Sequence, residues 1–101
     1  MFSGGVLMEF CIEVPKSLLK RIYGVRHLTH EVAQDLYRRL AKTFNMFREG
    51  YTLTSELEYP GNYFSIKQWL PGPTGPSLRT VGSVEDLGKS IMVCIREEQT
   101  Y

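Results

Sequence analysis

At 101 residues, with 43% hydrophobic and 12% aromatic residues, the chain is of ordinary single-domain size, and one domain spanning residues 1–101 is expected. Twelve Lys and Arg against eleven Asp and Glu leave a net charge of +1. This excludes a global field that would draw the protein onto nucleic acid or an anionic membrane, so any charged site has to be a local patch.

Along the chain, Met1 to Met8 has no positive n-region, and its apolar run is far shorter than the roughly 20 residues of a membrane helix. No membrane contact is expected, and the cytoplasm is the expected compartment. Gly4-Gly5, followed by Met8, predicts a flexible leader over residues 1–5 or a natural start at Met8. From Val6 to Val14 apolar residues alternate, with Val6, Met8, Phe10, Ile12 and Val14 on one face and Leu7, Glu9, Cys11 and Glu13 on the other. That pattern predicts a strand with one buried face. Pro15 then suits the first position of a short helix through Leu18, Leu19 and Ile22, with Gly24 as its terminator.

Thr29 is the expected cap of the main helix. Val32, Leu36, Leu40, Phe44 and Phe47 recur at helical spacing, and Gly50 is the expected stop. Its outward face carries Glu31, Asp35, Arg38, Arg39 and Lys42, with Asp35 and Arg39 four residues apart, as a favourable ion pair requires. Tyr51 to Tyr59 and Tyr63 to Leu70 alternate around Pro60-Gly61, which predicts a hairpin. A register pairing Leu57 with Phe64 gathers Leu53, Leu57, Phe64 and Ile66 on one face. It leaves Thr52, Thr54, Glu56, Glu58, Ser65, Lys67 and Trp69 on the other.

Pro71, Gly72, Pro73, Gly75 and Pro76 predict a semi-rigid loop over 71–82, with room for a short extended piece at Leu78 to Val81. Ser83 and Asp86 have the spacing of a helix cap, and Val84, Leu87, Ile91, Cys94 and Ile95 continue at helical spacing with Gly88 as a weak point. Helix is the expectation here, although Met92 to Ile95 also suits a strand. The expected fold is α+β: a small antiparallel sheet, made of the N-terminal strand and the central hairpin, packed against two to three helices.

Candidate chemistry is sparse. Cys11 and Cys94 are too few for a secreted disulfide framework, and reduced, buried thiols are expected. His27 and His30 form the one histidine cluster, but no third or fourth ligand follows at metal-binding spacing. Gly72 to Ser77 resembles a phosphate loop only superficially, because two prolines remove two backbone donors and no Walker lysine follows. There is no signposted nucleophile, no metal site and no cofactor motif. Lys16, Lys20, Arg21, Arg38, Arg39 and Lys42 concentrate positive charge in the first half and offer an alternative, nucleic-acid-binding reading. On the hairpin, Glu56 and Glu58 lie beside Tyr63, Lys67 and Trp69, a mixture of acidic steering groups and large contact side chains that suits a basic protein partner.

The segment Ser83-Val84-Glu85-Asp86-Leu87-Gly88-Lys89-Ser90-Ile91 resembles the Leu-Gly-containing closing helix of several bacterial immunity proteins of contact-dependent growth inhibition and related polymorphic-toxin systems. The resemblance covers this segment alone. It implies a non-enzymatic inhibitor that binds a cognate toxin domain, often a nuclease, and needs neither catalytic residues nor cofactor. Three readings follow: an immunity protein, a small nucleic-acid-binding module, and an enzyme or small-ligand binder around His27 and His30.

Overall fold

The computed structural model describes the backbone of residues 5–100 and the side chains of residues 8–96. Of the leader expected over residues 1–5, the first four lie outside the described residues. Strand β1 (Gly5–Pro15) is followed by a helical turn (Leu19–Tyr23), helix α1 (His30–Thr43) and strands β2 (Leu53–Glu58), β3 (Tyr63–Leu70), β4 (Ser77–Asp86) and β5 (Ser90–Thr100). The strands form one antiparallel sheet in the order β1-β5-β4-β3-β2. The N-terminal strand and the central hairpin therefore occupy opposite edges, joined by two strands between them.

Helix α1 begins as its sequence dictates. The Thr29 hydroxyl accepts a hydrogen bond from the Val32 N–H at 3.2 Å, meeting one of the donors that a helix start leaves open. Val32, Ala33, Leu36, Tyr37 and Ala41 are buried and lie against Phe64, Ile66, Val84, Ile91, Val93 and Ile95 of the sheet. The helix stops at Thr43, short of the expected Phe47, because Asn45 takes a left-handed conformation (φ 57°). The Met46 N–H then donates to the Ala41 carbonyl at 2.7 Å, closing the helix without a glycine. Freed from the helix, Phe44 is half exposed and stacks on Phe10 with ring centroids 6.4 Å apart.

The β2–β3 hairpin has the expected register, Leu57 opposite Phe64 and Glu56 opposite Ser65. Corrections are needed on three points: the segment 71–95, the number of helices together with the role of Pro15, and the cysteines. Residues 83–95 are not a helix: Ser83 to Asp86 end β4, and Ser90 onward form β5. Gly88 has a φ of 99°, and its N–H donates to the Asp86 carboxylate at 2.8 Å, so Asp86-Leu87-Gly88 is turn chemistry. Ile91, Val93 and Ile95 supply β-branched residues at a spacing of two, which a pleated, half-buried surface favours over a helix. The loop expected over 71–82 consequently shrinks, since β4 starts at Ser77. There is one long helix rather than two or three, and Pro15 ends β1 instead of opening a helix.

The third correction concerns the cysteines. Register places Cys11 opposite Cys94, with Cα atoms 4.1 Å apart, and the pair is a disulfide rather than two thiols. Cys11 is also exposed.

Two irregularities shape the sheet. The β3–β4 register shifts between Ile66 and Lys67, leaving Val81 as an extra residue. Pairing between β4 and β5 runs only from Gly82 to Asp86, whereas β5 stays with β1 as far as Thr100. Beyond Gly82 and Ile95 the sheet therefore splits. Gly82 itself lies under the Tyr37 ring: a Cβ there would come 2.7 Å from Tyr37 Cε1 and would collide with the Cys94 carbonyl oxygen.

Candidate functional site

All of α1 lies on one side of the sheet, so the alternate residues of every strand face away from it. Continuous pairing carries Glu56, Ser65, Ser83, Cys94 and Cys11 straight across this second face. Beside them run Glu58, Tyr63, Glu85, Met92 and Glu13. Ser65 and Ser83 are 6% and 8% exposed beneath these larger neighbours. Trp69 stands opposite Leu78, and each is 44% exposed. The face thus continues the hairpin surface over all five strands.

Its charge is uneven. Among the described residues Glu9, Glu13, Glu56, Glu58 and Glu85 share it with Lys67 and Arg96, five carboxylates against two cations. Lys67 Nζ lies 2.8 Å from Glu56 Oε2, and this hydrogen-bonded pairing lowers the Glu56 pKa and raises that of Lys67. Arg96 approaches Glu9 at 3.7 Å, and Glu13 accepts a hydrogen bond from the Ser90 hydroxyl. Glu58 and Glu85 have no ion pair among the described residues. Such a surface carries a negative potential next to apolar contact groups.

All five hairpin residues singled out from sequence fall together here: Glu56, Glu58, Tyr63, Lys67 and Trp69. Sequence reasoning missed that Glu13 and Glu85 extend the set, although the alternation of Glu9, Cys11 and Glu13 was visible. The missing step is β5, whose residues also satisfy a helical period and which joins β1 to β4.

The basic residues do not gather in the same way. Lys16 pairs with Asp86 at 2.8 Å, Arg38 and Arg39 with Asp35 at 3.2 and 2.7 Å, and Lys42 with Glu49 at 3.3 Å. Lys20 and Arg21 sit apart from these on the exposed helical turn. Asp35 also accepts the Tyr23 hydroxyl at 2.7 Å. Burial acts to raise its pKa, but Tyr23 and the two arginines outweigh it and hold the carboxyl below its ordinary value. Burial, then Asp35 itself, pushes Tyr23 up to about 12. This is a structural network that ties the helical turn to α1.

Neither histidine builds a site. His30 Nδ1 lies 2.8 Å from the Ser55 hydroxyl, which also accepts the Gln34 amide at 2.9 Å, and the ring meets Phe64 edge-on at 5.1 Å. His27 is exposed. Among the described residues, the one gathering of three candidate metal ligands is Glu9, Cys11 and Cys94, and there the two sulfurs are bonded to each other. No helix among the described residues is long and apolar enough to cross a membrane.

No protein-family model matches the chain, and neither a curated protein nor a solved structure matches it.

Proposed function

We propose that this protein is a non-enzymatic binding domain that holds a basic protein on its helix-free sheet face, in the role of an immunity protein neutralising a cognate toxin domain, with a nuclease as the expected toxin. The observation that carries the reading is the excess, among the described residues, of five carboxylates over two cations on a face that also presents Trp69 and Leu78 half exposed. Nucleases bind a polyanion and so present cationic surfaces, which a complementary acidic face meets with fast, steered association. A large aromatic beside an apolar cross-strand partner supplies the kind of anchor around which binding energy concentrates. Residues 83–91 bear on this reading as a hairpin that places Ser83 and Glu85 on the face, not as a closing helix.

The test is co-expression with the product of the neighbouring gene, followed by purification and kinetic binding measurements. A stoichiometric complex is expected. Charge reversal by Glu56→Lys with Glu58→Lys should chiefly slow association and flatten its dependence on salt, while Trp69→Ala should speed dissociation. Recovery of no protein partner, or association kinetics indifferent to both changes, would overturn the proposal. A cytoplasmic site of action belongs to the same proposal. Because the cytoplasmic thiol pool opposes disulfides, alkylation trapping that found Cys11 and Cys94 fully oxidised in cells would count against that compartment.

A further inference from the structure

Where the sheet splits, beyond Gly82 and Ile95, a cavity of about 60 Å³ opens on the helix side. Among the described residues its walls include Tyr37, Gln68 and three arginines, Arg48, Arg79 and Arg96, and no carboxylate. The arginines come from three separate segments: the loop after α1, the bulged half of β4, and β5 just after its last pair with β4. Gln68 is 2% exposed and donates from its amide nitrogen to the Arg48 carbonyl at 2.9 Å, which fastens the Arg48 segment to β3. Arg79 stands directly opposite Gln68. Among the described residues Arg48 and Arg79 have no ion pair, and Arg96 has only the 3.7 Å approach to Glu9. Tyr37, also 2% exposed, is part of the lining, and burial pushes its pKa up to about 12, so its hydroxyl remains a protonated donor.

Among the described residues the lining carries cationic groups and no carboxylate, and Arg48 and Arg79, both exposed at the open side of the cleft, gain a counter-charge when an anion arrives. Guanidinium donors are disposed as a fork that matches the oxygens of a phosphate. The cleft's volume of about 60 Å³ holds a few waters, which is the scale of one phosphoryl group rather than of a whole nucleotide. We propose that this cleft binds a terminal phosphoryl group, supplied as inorganic phosphate or as a small phosphomonoester whose remainder stays outside. The site lies on the helix side of the sheet and shares only Arg96, which also stands beside Glu9, with the docking face proposed above, so Arg48 and Arg79 carry its test.

Calorimetric titration at constant ionic strength, with inorganic phosphate, adenosine 5′-monophosphate, unphosphorylated adenosine and nitrate, tests the proposal. Saturable binding of phosphate or of the monophosphate, without binding of adenosine or nitrate, is expected. A tighter monophosphate assigns the phosphomonoester as the source, and equal affinity assigns free phosphate. Arg79→Gln and Arg48→Gln should each weaken binding about tenfold or more, and Tyr37→Phe, which keeps the ring over Gly82, should weaken it by a few-fold. Arg38→Gln, in the Asp35 network, should leave it unchanged. The proposal falls if millimolar phosphate and monophosphate do not saturate the protein, if nitrate competes equally, or if folded Arg48 and Arg79 variants titrate like the wild type. Tighter binding of an oligonucleotide lacking terminal phosphate would likewise replace it with a polyanion surface.

Discussion

On the helix side of the sheet Phe64, Ile66, Val84, Ile91, Val93 and Ile95 are all at most 3% exposed, whereas on the other side Trp69 and Leu78 are left 44% exposed among carboxylates. Consecutive residues of the same strand belong to these opposite environments. One helix closes the middle of one face, where its buried positions Val32, Ala33, Leu36, Tyr37 and Ala41 fill the space over β3, β4 and β5, while Phe10 and Leu57 on the two edge strands of that face stay 45% and 44% exposed. Burying an aliphatic side chain contributes about 1.5–3 kcal/mol, so stability concentrates on the covered face. The bare face is left to whatever it meets.

Neighbours on β5 offer the strongest way to break this contrast. Ile91 is fully buried under α1 and Met92, beside it, faces away. Ile91→Ala should cost about 2–5 kcal/mol by urea unfolding, and Met92→Ala distinctly less. Equal losses would mean that the second face is also packed. Next in size is the disulfide, the covalent tie on the bare face, which links residues 83 positions apart. Reduction should lower stability by about 2–4 kcal/mol, seen as a lower melting temperature in reductant that a Cys11→Ala, Cys94→Ala variant does not share.

A smaller effect sharpens the packing of the covered face. Gly82→Ala puts a methyl group into the Tyr37 ring and the Cys94 carbonyl, and overpacking of this kind costs about 1–3 kcal/mol. A Gly82→Ala protein as stable as the wild type would show that the ring is free to move off the strand.

The smallest expected effect is electrostatic. Burial acts to raise the Asp86 pKa, but the Lys16 ammonium and the Gly88 N–H overcome it and hold the carboxyl below its ordinary value. A carboxyl depressed in the folded state contributes stability above its unfolded pKa of about 4 and loses it as pH falls through the lower folded value. Acid unfolding below about pH 4 should therefore be less steep in Lys16→Met, with a loss near neutral pH of about 1 kcal/mol or less.

How far the sequence disclosed this arrangement differs between the two hairpins. In β2–β3 the alternation of Leu53, Leu57, Phe64 and Ile66, together with Pro60-Gly61, admits one register, and the structure has it. In β4–β5 the apolar residues Val84, Leu87, Ile91 and Ile95 also satisfy a helical period, so the local pattern was degenerate. Contact with neighbouring strands resolved it. The hairpin half of the acidic face was accordingly legible, while its continuation through Glu85 and Glu13 was not. The arginine cleft was hidden more deeply, because Arg48, Arg79 and Arg96 share no spacing and meet only where β4 and β5 part.

By itself the sequence determined the capped main helix, the alternation of β1 and the β2–β3 hairpin, and which side chains of those three strands share a face. These follow from periodicity and capping, properties of residues a few positions apart. Tertiary structure alone decided that β5 lies between β1 and β4, that Cys11 meets Cys94, and that three arginines surround one cavity. Strand order is selected by how the whole set of apolar faces closes under a single helix, and no local stretch of sequence carries that information.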